Sequence, residues 1–320
     1  MKKSIGVGLF SLFSIAAVEV FGAEAFEPPE WAYPIMEEGR GRGPDDGTIY
    51  TVEGSNVELT QTEINNRFGP ADWYPDEHPP MPDIVAHGRQ PDLWACDLCH
   101  LPTGAGHPES ANLSGLPANY IIQQMKDFAS GARKGILPGR PGIMVNFAGA
   151  ITDEEIRIAA DYFSSLPPVK WNDVVEVAMV PETFVGAGNM RHAIPGGSME
   201  PIGMRIVELP TDSHGAELRD THSPFIAYVP PGTLAKGEEL ATTGGGKTIQ
   251  CAICHGPDLK GLGDVPSLAG RSPIYMARQL FEIKHGARTG SSAALMQGVV
   301  ANLNEEDILN LVAYAGSLEP

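Results

Sequence analysis

Apolar positions recur at helical spacing in two stretches that lie far apart along the chain. Residues 120–129 and 275–283 carry apolar side chains three or four positions apart, so each is predicted to form an amphipathic helix. Thr152 and Asn304 each precede three acidic residues and an isoleucine, and a capping residue followed by acidic residues predicts a helix start. We expect these two helices to end near residues 165 and 317.

A different pattern occupies the middle of the chain. Short runs of β-branched and apolar residues at 174–177, 202–207 and 225–229 are bounded by proline and glycine, which is typical of strands. We therefore expect a small antiparallel sheet within residues 169–231. The segment is either a spacer that packs two domains together or a docking surface for another subunit.

The first 25 residues have the layout of a secretory signal peptide. Two lysines precede an apolar run at 5–18, and an Ala-x-Ala site ends at Ala25, so Phe26 is expected to start the mature chain. The alternative is an uncleaved membrane anchor. Glu19 interrupts the run before the roughly 20 apolar residues that a spanning helix needs, so cleavage is favoured. In a bacterium the product would be periplasmic or secreted, and the periplasm is the location that we expect.

All four cysteines lie in two copies of the pattern C-x-x-C-H, which is the covalent haem attachment signature. Two thiols three residues apart lie on nearly the same side of a helical turn and can form thioethers with the two haem vinyl groups. The adjacent imidazole then lies under the iron as the proximal ligand. The copies are Cys96, Cys99 and His100 in the first, and Cys251, Cys254 and His255 in the second.

Three other interpretations of the cysteines are weaker. Two disulfides would leave the histidine after each pair unexplained. A zinc site built from the four thiolates would make both histidines redundant. A thioredoxin-like motif needs a βαβ context that the pattern does not predict. Two copies that use every cysteine, behind an export signal, therefore predict two covalent haems.

The two motifs belong to an internal repeat. Residues 120–124 match 275–279 at an offset of 155, the same offset as the cysteine pairs. Farther along the chain the offset is 152, so Met144 matches Met296 and Tyr162 matches Tyr314. The first copy therefore carries three extra residues near 137–141.

Each copy resembles a class I cytochrome c domain: C-x-x-C-H, a middle helix with Tyr and Gln, a loop with Met, and a closing helix with Tyr. The tandem copies resemble the dihaem, cytochrome c4-like proteins of the bacterial periplasm. The resemblance implies a mainly α chain with two covalently bound haem c groups and their iron. Its parts would be a signal peptide, an acidic extension, a first cytochrome c domain, a β-rich segment and a second domain, at 1–25, 26–86, 87–168, 169–231 and 232–320.

The resemblance also implies the distal iron ligands. Of the 11 methionines, only Met144 and Met296 occupy equivalent places in the two copies, each 12 residues before the isoleucine of the closing helix. They match the ligand loop of the family, which gives iron ligation by His100 with Met144 and by His255 with Met296. The alternative is core packing, which explains most methionines. His107 and His285 have no histidine counterpart and are expected at the surface.

Two further features of the family bear on the haem pockets. The family's proximal histidine donates its Nδ1–H to a proline carbonyl, and Pro266 fits that place whereas the first copy has Ala111. Arg133 and Arg288 are matched cations that either pair with haem propionates or remain solvated surface arginines.

The net charge of the chain limits the kinds of molecule that it can bind. The chain has 22 basic and 40 acidic residues and a net charge of −18, so nucleic acid is a poor partner and a basic protein surface is a plausible one. Residues 26–86 alone hold 13 Asp or Glu and 3 Arg. We expect this extension to wrap the first haem domain and either to steer a basic redox partner or to act as a solubilising coat.

The function implied is transfer of single electrons between redox partners, as a soluble carrier or as a subunit of a dehydrogenase or oxidase complex. With His and Met filling both axial positions, no open site remains for oxygen or peroxide, so no catalytic residue is assigned. The alternative is a haem enzyme of the peroxidase or sulfur-compound dehydrogenase type with one exchangeable distal site. A structural subunit whose haems only relay electrons within a fixed complex is a third possibility.

Overall fold

The structure is a computed structural model that describes residues 26–139 and 141–320. The predicted signal peptide lies outside the described residues. Within the described part, helices account for most of the regular structure. They are α1 (Gln61–Ile64), α2 (Asp83–Ala86), α3 (Asp97–His100), α4 (Ala118–Ser130), α5 (Gly142–Ala150), α6 (Asp153–Ser165), α7 (Ser213–Glu217), α8 (Thr233–Thr243), α9 (Ala252–His255), α10 (Pro273–Lys284), α11 (Ser291–Val300) and α12 (Glu305–Ser317).

Two strands lie in the N-terminal extension and the others in the segment between the haem motifs. They are β1 (Ile49–Tyr50), β2 (Leu59–Thr60), β3 (Asn172–Glu176), β4 (Met179–Pro181), β5 (Thr183–Val185), β6 (Arg191–Ala193), β7 (Met199–Pro201), β8 (Val207–Pro210) and β9 (Phe225–Val229). Among the described residues, no helix is long and apolar enough to cross a membrane.

The helices repeat at the offsets that the sequence predicts. Helices α3 and α9 begin 155 residues apart, as do α4 and α10, whereas α6 and α12 begin 152 residues apart. Thr152 and Asn304 each close a capping box, in which the side chain accepts from the N3 backbone N–H and the N3 carboxylate accepts from the cap N–H. The mainly α fold with two tandem haem domains is confirmed.

The two copies differ at their beginnings. The second starts with the 11-residue helix α8, which packs against α12. The corresponding stretch of the first copy holds prolines at positions 79, 80 and 82, and only the four-residue helix α2 forms there. Proline lacks the N–H that a helix interior needs, so the first copy cannot build the long helix.

The segment between the domains contains a mixed sheet instead of the antiparallel one expected. Strand β9 is central, with β3 parallel and β8 antiparallel to it. The third strand is Val207–Pro210, after the predicted run at 202–207. The parallel pairing of β3 and β9 arises because the 48 residues between them form a long crossover, which a local pattern does not reveal.

This sheet packs on both haem domains. One face places Ala227 and Val229 in the core of the second domain beside Ile308. At the end of the sheet where β3 and β9 begin, Trp171 and Phe225 pack with Leu101, which directly follows the first haem motif. A second layer formed by β4 and β7 covers the other face of the sheet.

The N-terminal extension contacts both domains, so the expectation that it wraps the first domain is wrong for its beginning. Phe26 stacks on His285 at 3.6 Å between ring centroids, and Trp31 Nε1 donates to Glu305 at 2.9 Å, both in the second domain. Its later part packs on the first domain, where Ile84 and Val85 share a core with Phe163. Buried aromatic residues at both ends hold the acidic chain in place.

We predict that trypsin will spare the segment between the domains in the folded holoprotein. Its cleavage sites at Arg191, Arg205 and Arg219 are half-buried or buried, and Lys170 at its beginning is exposed but paired with Glu319. Arg40 and Arg42, in contrast, lie in the exposed stretch 37–47. Limited proteolysis followed by mass spectrometry should therefore show the first cuts after Arg40 and Arg42. Early cuts after Arg191 or Arg205 that release two intact haem fragments would show the segment to be a mere tether.

Candidate haem sites

The first motif places its histidine for iron ligation. Helix α3 carries His100 into the core, and burial lowers the pKa of the imidazole, which keeps it neutral. His100 Nδ1 lies 2.8 Å from the Ala111 carbonyl oxygen, so Nδ1 carries the proton that it donates. The other nitrogen, Nε2, therefore keeps a free lone pair, as a metal-bound histidine requires.

The second motif repeats this geometry. His255 Nδ1 lies 2.8 Å from the Pro266 carbonyl oxygen, and burial again lowers the pKa of the ring. Ala111 and Pro266 are equivalent in the repeat, so a backbone carbonyl at the same position fixes the same tautomer in both copies. A proline such as Pro266 is thus not needed for the hydrogen bond itself.

The cysteines are available for haem attachment. All four are free thiols, so the disulfide interpretation is not supported. The Cys96 thiol donates to the Ile84 carbonyl at 3.3 Å, and burial raises its pKa to about 12. Within residues 26–139 and 141–320, no three His, Cys, Asp or Glu side chains converge to hold a metal ion, so the zinc alternative lacks a site there.

Exposed apolar side chains lie next to residues of the proposed second haem site. Ile253, between the two cysteines, is 63% exposed, and Leu295, next to Met296, is 82% exposed. A large planar apolar group attached through Cys251 and Cys254 would cover side chains of this kind. Two adjacent thiols, a neutral imidazole with a free Nε2 and an apolar margin therefore fit a covalently attached haem.

The predicted distal ligands lie on corresponding helices. Met296 is on α11 and packs, half-buried, against the same core as Cys251. Met144 is half-buried in the first turn of α5. Sequence reasoning missed Met81, which packs against the core of the first domain, as Cys96 does, although it belongs to the extension. No repeat partner marks Met81, so only the packing identifies it.

The matched arginines are buried, so the interpretation as solvated surface residues is wrong. Arg133 and Arg288 are 8% and 7% exposed. Each donates to the glutamine of its own copy and to that of the other: Arg133 to Gln124 at 3.0 Å and to Gln279 at 2.9 Å, Arg288 to Gln279 at 2.9 Å and to Gln124 at 2.8 Å. Equivalent arginine and glutamine residues of the two copies thus form a pseudo-symmetric polar contact between the domains.

Two further histidines, His107 and His285, were expected at the surface, and His107 is not a surface residue. It is half-buried against Phe225, and burial lowers its pKa to about 3. His285 is exposed, as expected, and carries the Phe26 stack. Neither residue has a histidine at the matching place in the other copy, so neither forms a repeated site.

A buried carboxyl group distinguishes the first motif from the second. Asp97 stands between Cys96 and Cys99 and is 2% exposed, whereas Ala252 occupies the equivalent place. Burial, with a smaller contribution from the neighbouring Asp72 carboxylate, raises the pKa of Asp97 to about 8. The two haem environments therefore differ in polarity although their ligand geometry repeats.

Comparison with known proteins finds relatives among the c-type cytochromes. The family model for cytochrome c matches residues 234–319, the copy with the complete N-terminal helix. The chain is 33% identical to a cytochrome c4 of Azotobacter vinelandii over 232 residues, which cover 70% of this chain and 84% of that protein. It is 26% identical over 220 residues to the thiosulfate dehydrogenase electron acceptor of Thiomonas intermedia, covering 67% and 74%.

A solved structure gives a partial match. The thiosulfate dehydrogenase of Marichromatium purpuratum aligns with a TM-score of 0.48 and 25% identity. The alignment covers 71% of this chain and 37% of that chain, so this chain spans about a third of the length of that protein.

Proposed function

The chain belongs to the cytochrome c family as a dihaem cytochrome of the cytochrome c4 kind, and from this premise we propose its iron ligands, its location and its partners. Two haem c groups are bound covalently at the C-x-x-C-H motifs, and the protein transfers single electrons between redox partners. It is an electron-transfer protein and not itself an enzyme. The alternative of a haem enzyme is not better supported by the relatives.

The proposed axial ligands are His100 with Met144 for the first haem and His255 with Met296 for the second. The observation that carries the proximal ligands is the repeated pair of 2.8 Å contacts from each histidine Nδ1 to a backbone carbonyl. The methionines are supported by their matching places in the repeat, on helices α5 and α11. The haem iron supplies the one-electron couple when bound, and a thioether ligand favours the ferrous state and raises the reduction potential.

The chain's own residues hold the haem environments in one geometry. The carbonyls of Ala111 and Pro266 fix the orientation and tautomer of the two imidazoles. Helices α6 and α12 contribute to the cores of the two domains, in which His100 and His255 are buried. A rigid, fully ligated site changes little between oxidation states, which suits transfer of an electron without bond rearrangement.

We place the mature protein in the periplasm, after removal of residues 1–25. Two relatives are named as electron acceptors of a thiosulfate dehydrogenase, and a third is named as the cytochrome subunit of a sulfide dehydrogenase. For this chain we accordingly propose a dehydrogenase as the electron donor and a protein with a basic docking face as the redox partner at the acidic extension.

The haem content tests this assignment directly. A pyridine haemochrome assay on the exported protein should give two haems per chain, and a redox titration should resolve two one-electron steps. The ferric spectrum should be low-spin and unchanged by peroxide. A single haem, or a high-spin ferric haem that reacts with peroxide, would instead favour the enzyme alternative.

We predict that the extension accelerates association with a basic partner. Glu38, Glu53, Glu58 and Asp76 are exposed acidic residues of the extension. Asp45 and Asp46 are less suitable targets because their carboxylates accept backbone N–H groups of nearby turns. Neutralising the four exposed residues should slow stopped-flow electron transfer with a small basic cytochrome and flatten its dependence on ionic strength.

A matched set controls for net charge. Glu154, Asp161, Glu238 and Glu239 are exposed on helices of the haem domains, and neutralising them changes the net charge by the same amount. This second variant should retain most of the salt dependence. Equal behaviour of the two variants, or an unchanged slope in the first, would assign the extension to the coat interpretation.

A further inference from the structure

The loop that orients His100 differs from its counterpart in the second domain. Pro266 supplies the carbonyl for His255 and has a fixed φ, whereas Ala111 supplies the carbonyl for His100 and has none. The first loop therefore needs another source of rigidity. Two arginines from the second domain bind on either side of Ala111.

Arg271 binds the residues that follow Ala111. Its guanidinium donates to the Asn112 carbonyl at 2.6 Å and to the Ser114 carbonyl at 3.2 Å. Its Nε donates to the Ser267 carbonyl at 2.8 Å. Asn112 and Ser267 are equivalent in the repeat, so one side chain joins the two loops that orient the two proximal histidines.

Arg278 binds the residues that precede Ala111. Its guanidinium donates to the Pro108 carbonyl and lies 3.5 Å from the Glu109 carboxylate. A third contact, to the Ala32 carbonyl at 3.0 Å, fastens the beginning of the extension to the same arginine. Both Arg271 and Arg278 are 7% exposed, so water competes little for these hydrogen bonds.

Only the second domain supplies such arginines to the other domain. The residues of the first copy that align with the two arginines are Leu116 and Gln123, which carry no charge. The second domain therefore braces the first loop through two arginines, while its own loop has a proline. Planar guanidinium groups with several fixed donors suit this task because they hold two carbonyls at once.

We propose that Arg271 and Arg278 are positioning residues for the first haem, holding the Ala111 loop from across the domain interface so that His100 keeps a single orientation. The first haem site is thus complete only when the second domain is docked. This inference rests on His100 as the proximal ligand, as proposed above. It assigns to the domain interface a role in ligand geometry as well as in holding the domains together.

The test uses paramagnetic proton NMR of the full-length ferric holoprotein. Haem methyl shifts of a low-spin ferric haem depend on the orientation of the axial imidazole plane, so each haem reports its own histidine. Arg271→Gln and Arg278→Gln should each shift and broaden the methyl resonances of the first haem more than those of the second. Pro266→Ala should move the other set and thereby identify it.

Two further variants separate positioning from loss of charge or of folding. Arg271→Lys keeps the charge but not the two-carbonyl fork, so it should still shift the first set, while Arg157→Gln, at an exposed position on α6, should shift neither. Ala111→Pro in the Arg271→Gln background should return most of the shift, because the proline restores rigidity locally. If Arg271→Gln fails to fold, Arg278→Gln and Arg271→Lys carry the test.

The outcomes distinguish this proposal from the function on which it rests. Equal shifts of both haems in the arginine variants, or no shift of the first, would overturn the positioning role. Failure to rescue with Ala111→Pro would overturn it as well. If instead the unaltered protein lacks two low-spin haems with histidine ligands, the proposed ligation fails before any variant is compared.

Discussion

Replacing Met296 with alanine is expected to remove about half of the near-infrared charge-transfer absorption of the ferric protein, since that band arises from sulfur bound to iron and each haem has one thioether ligand. The reduction potential of the second haem should fall, because the thioether stabilises the ferrous state. Met296 and Cys251 both pack against the core of the second domain.

Met144→Ala should remove the other half of the band and lower the potential of the first haem. The matched controls are Met125→Ala in the first domain and Met276→Ala in the second, neither of which has a methionine partner in the repeat. Each control should leave the near-infrared band intact. Loss of the band in either control would contradict the repeat-based assignment of ligands.

Met81 provides the sharper comparison for the first haem. Met81 and Cys96 both pack against the core of the first domain, which makes Met81 the alternative thioether to test. Met81→Ala should leave both the band and the potential nearly unchanged if Met144 is the ligand. Loss of half of the band in Met81→Ala, with retention in Met144→Ala, would show that Met81 of the extension is the distal ligand of the first haem.

The sequence predicts the repeated part of this fold well because the repeat supplies two independent views of each element. Thr152 and Asn304 cap helices of equal length, and the two C-x-x-C-H motifs open equivalent helical turns. Local capping chemistry and side-chain spacing determine these features, and both can be recognised from the sequence alone. The proximal histidines follow from the same pattern.

The arrangement of the non-repeated parts depends on contacts between residues distant in sequence. Trp31 reaches Glu305 in the second domain, Trp73 Nε1 donates to the Leu218 carbonyl of the inter-domain segment at 2.7 Å, and Val85 packs with Phe163 in the first domain. Composition shows that these aromatic residues will be buried but not against which partner. The parallel pairing of β3 with β9 could not be predicted either, because the two strands are distant in sequence.

Burial of charge is the other feature that the sequence did not reveal. Arg133 and Arg271 look like ordinary surface residues until their acceptors are known, and in both cases acceptors come from the other domain. A guanidinium is buried only where carbonyl or amide oxygens meet its donors, which is a property of the interface. The repeat indicated that Arg133 mattered, whereas Arg271 has no counterpart and gave no signal.

Gly237→Ala is expected to lower the free energy of unfolding by about 3 kcal/mol, because helix α8 crosses α12 with no room for a side chain at this position. A Cβ on Gly237 would lie 2.1 Å from the Asn310 carbonyl oxygen and 2.6 Å from the Tyr314 Cβ. The first neighbour is backbone, so the two helices would have to separate. Chemical denaturation of the holoprotein, followed by far-ultraviolet circular dichroism, measures the change.

Gly298→Ala is the matched control for Gly237→Ala, since it adds the same methyl group to a helix where a Cβ meets nothing within 4 Å. Gly298 is exposed on α11, roughly 200° around the helix from Met296, so the methyl group points away from the proposed ligand. This variant should gain about 0.5–1 kcal/mol, because glycine costs more conformational entropy in a helix than alanine. Equal stability of the two variants would show that α8 and α12 do not cross at Gly237, and the second domain would then lack the close helix pair that distinguishes it from the first.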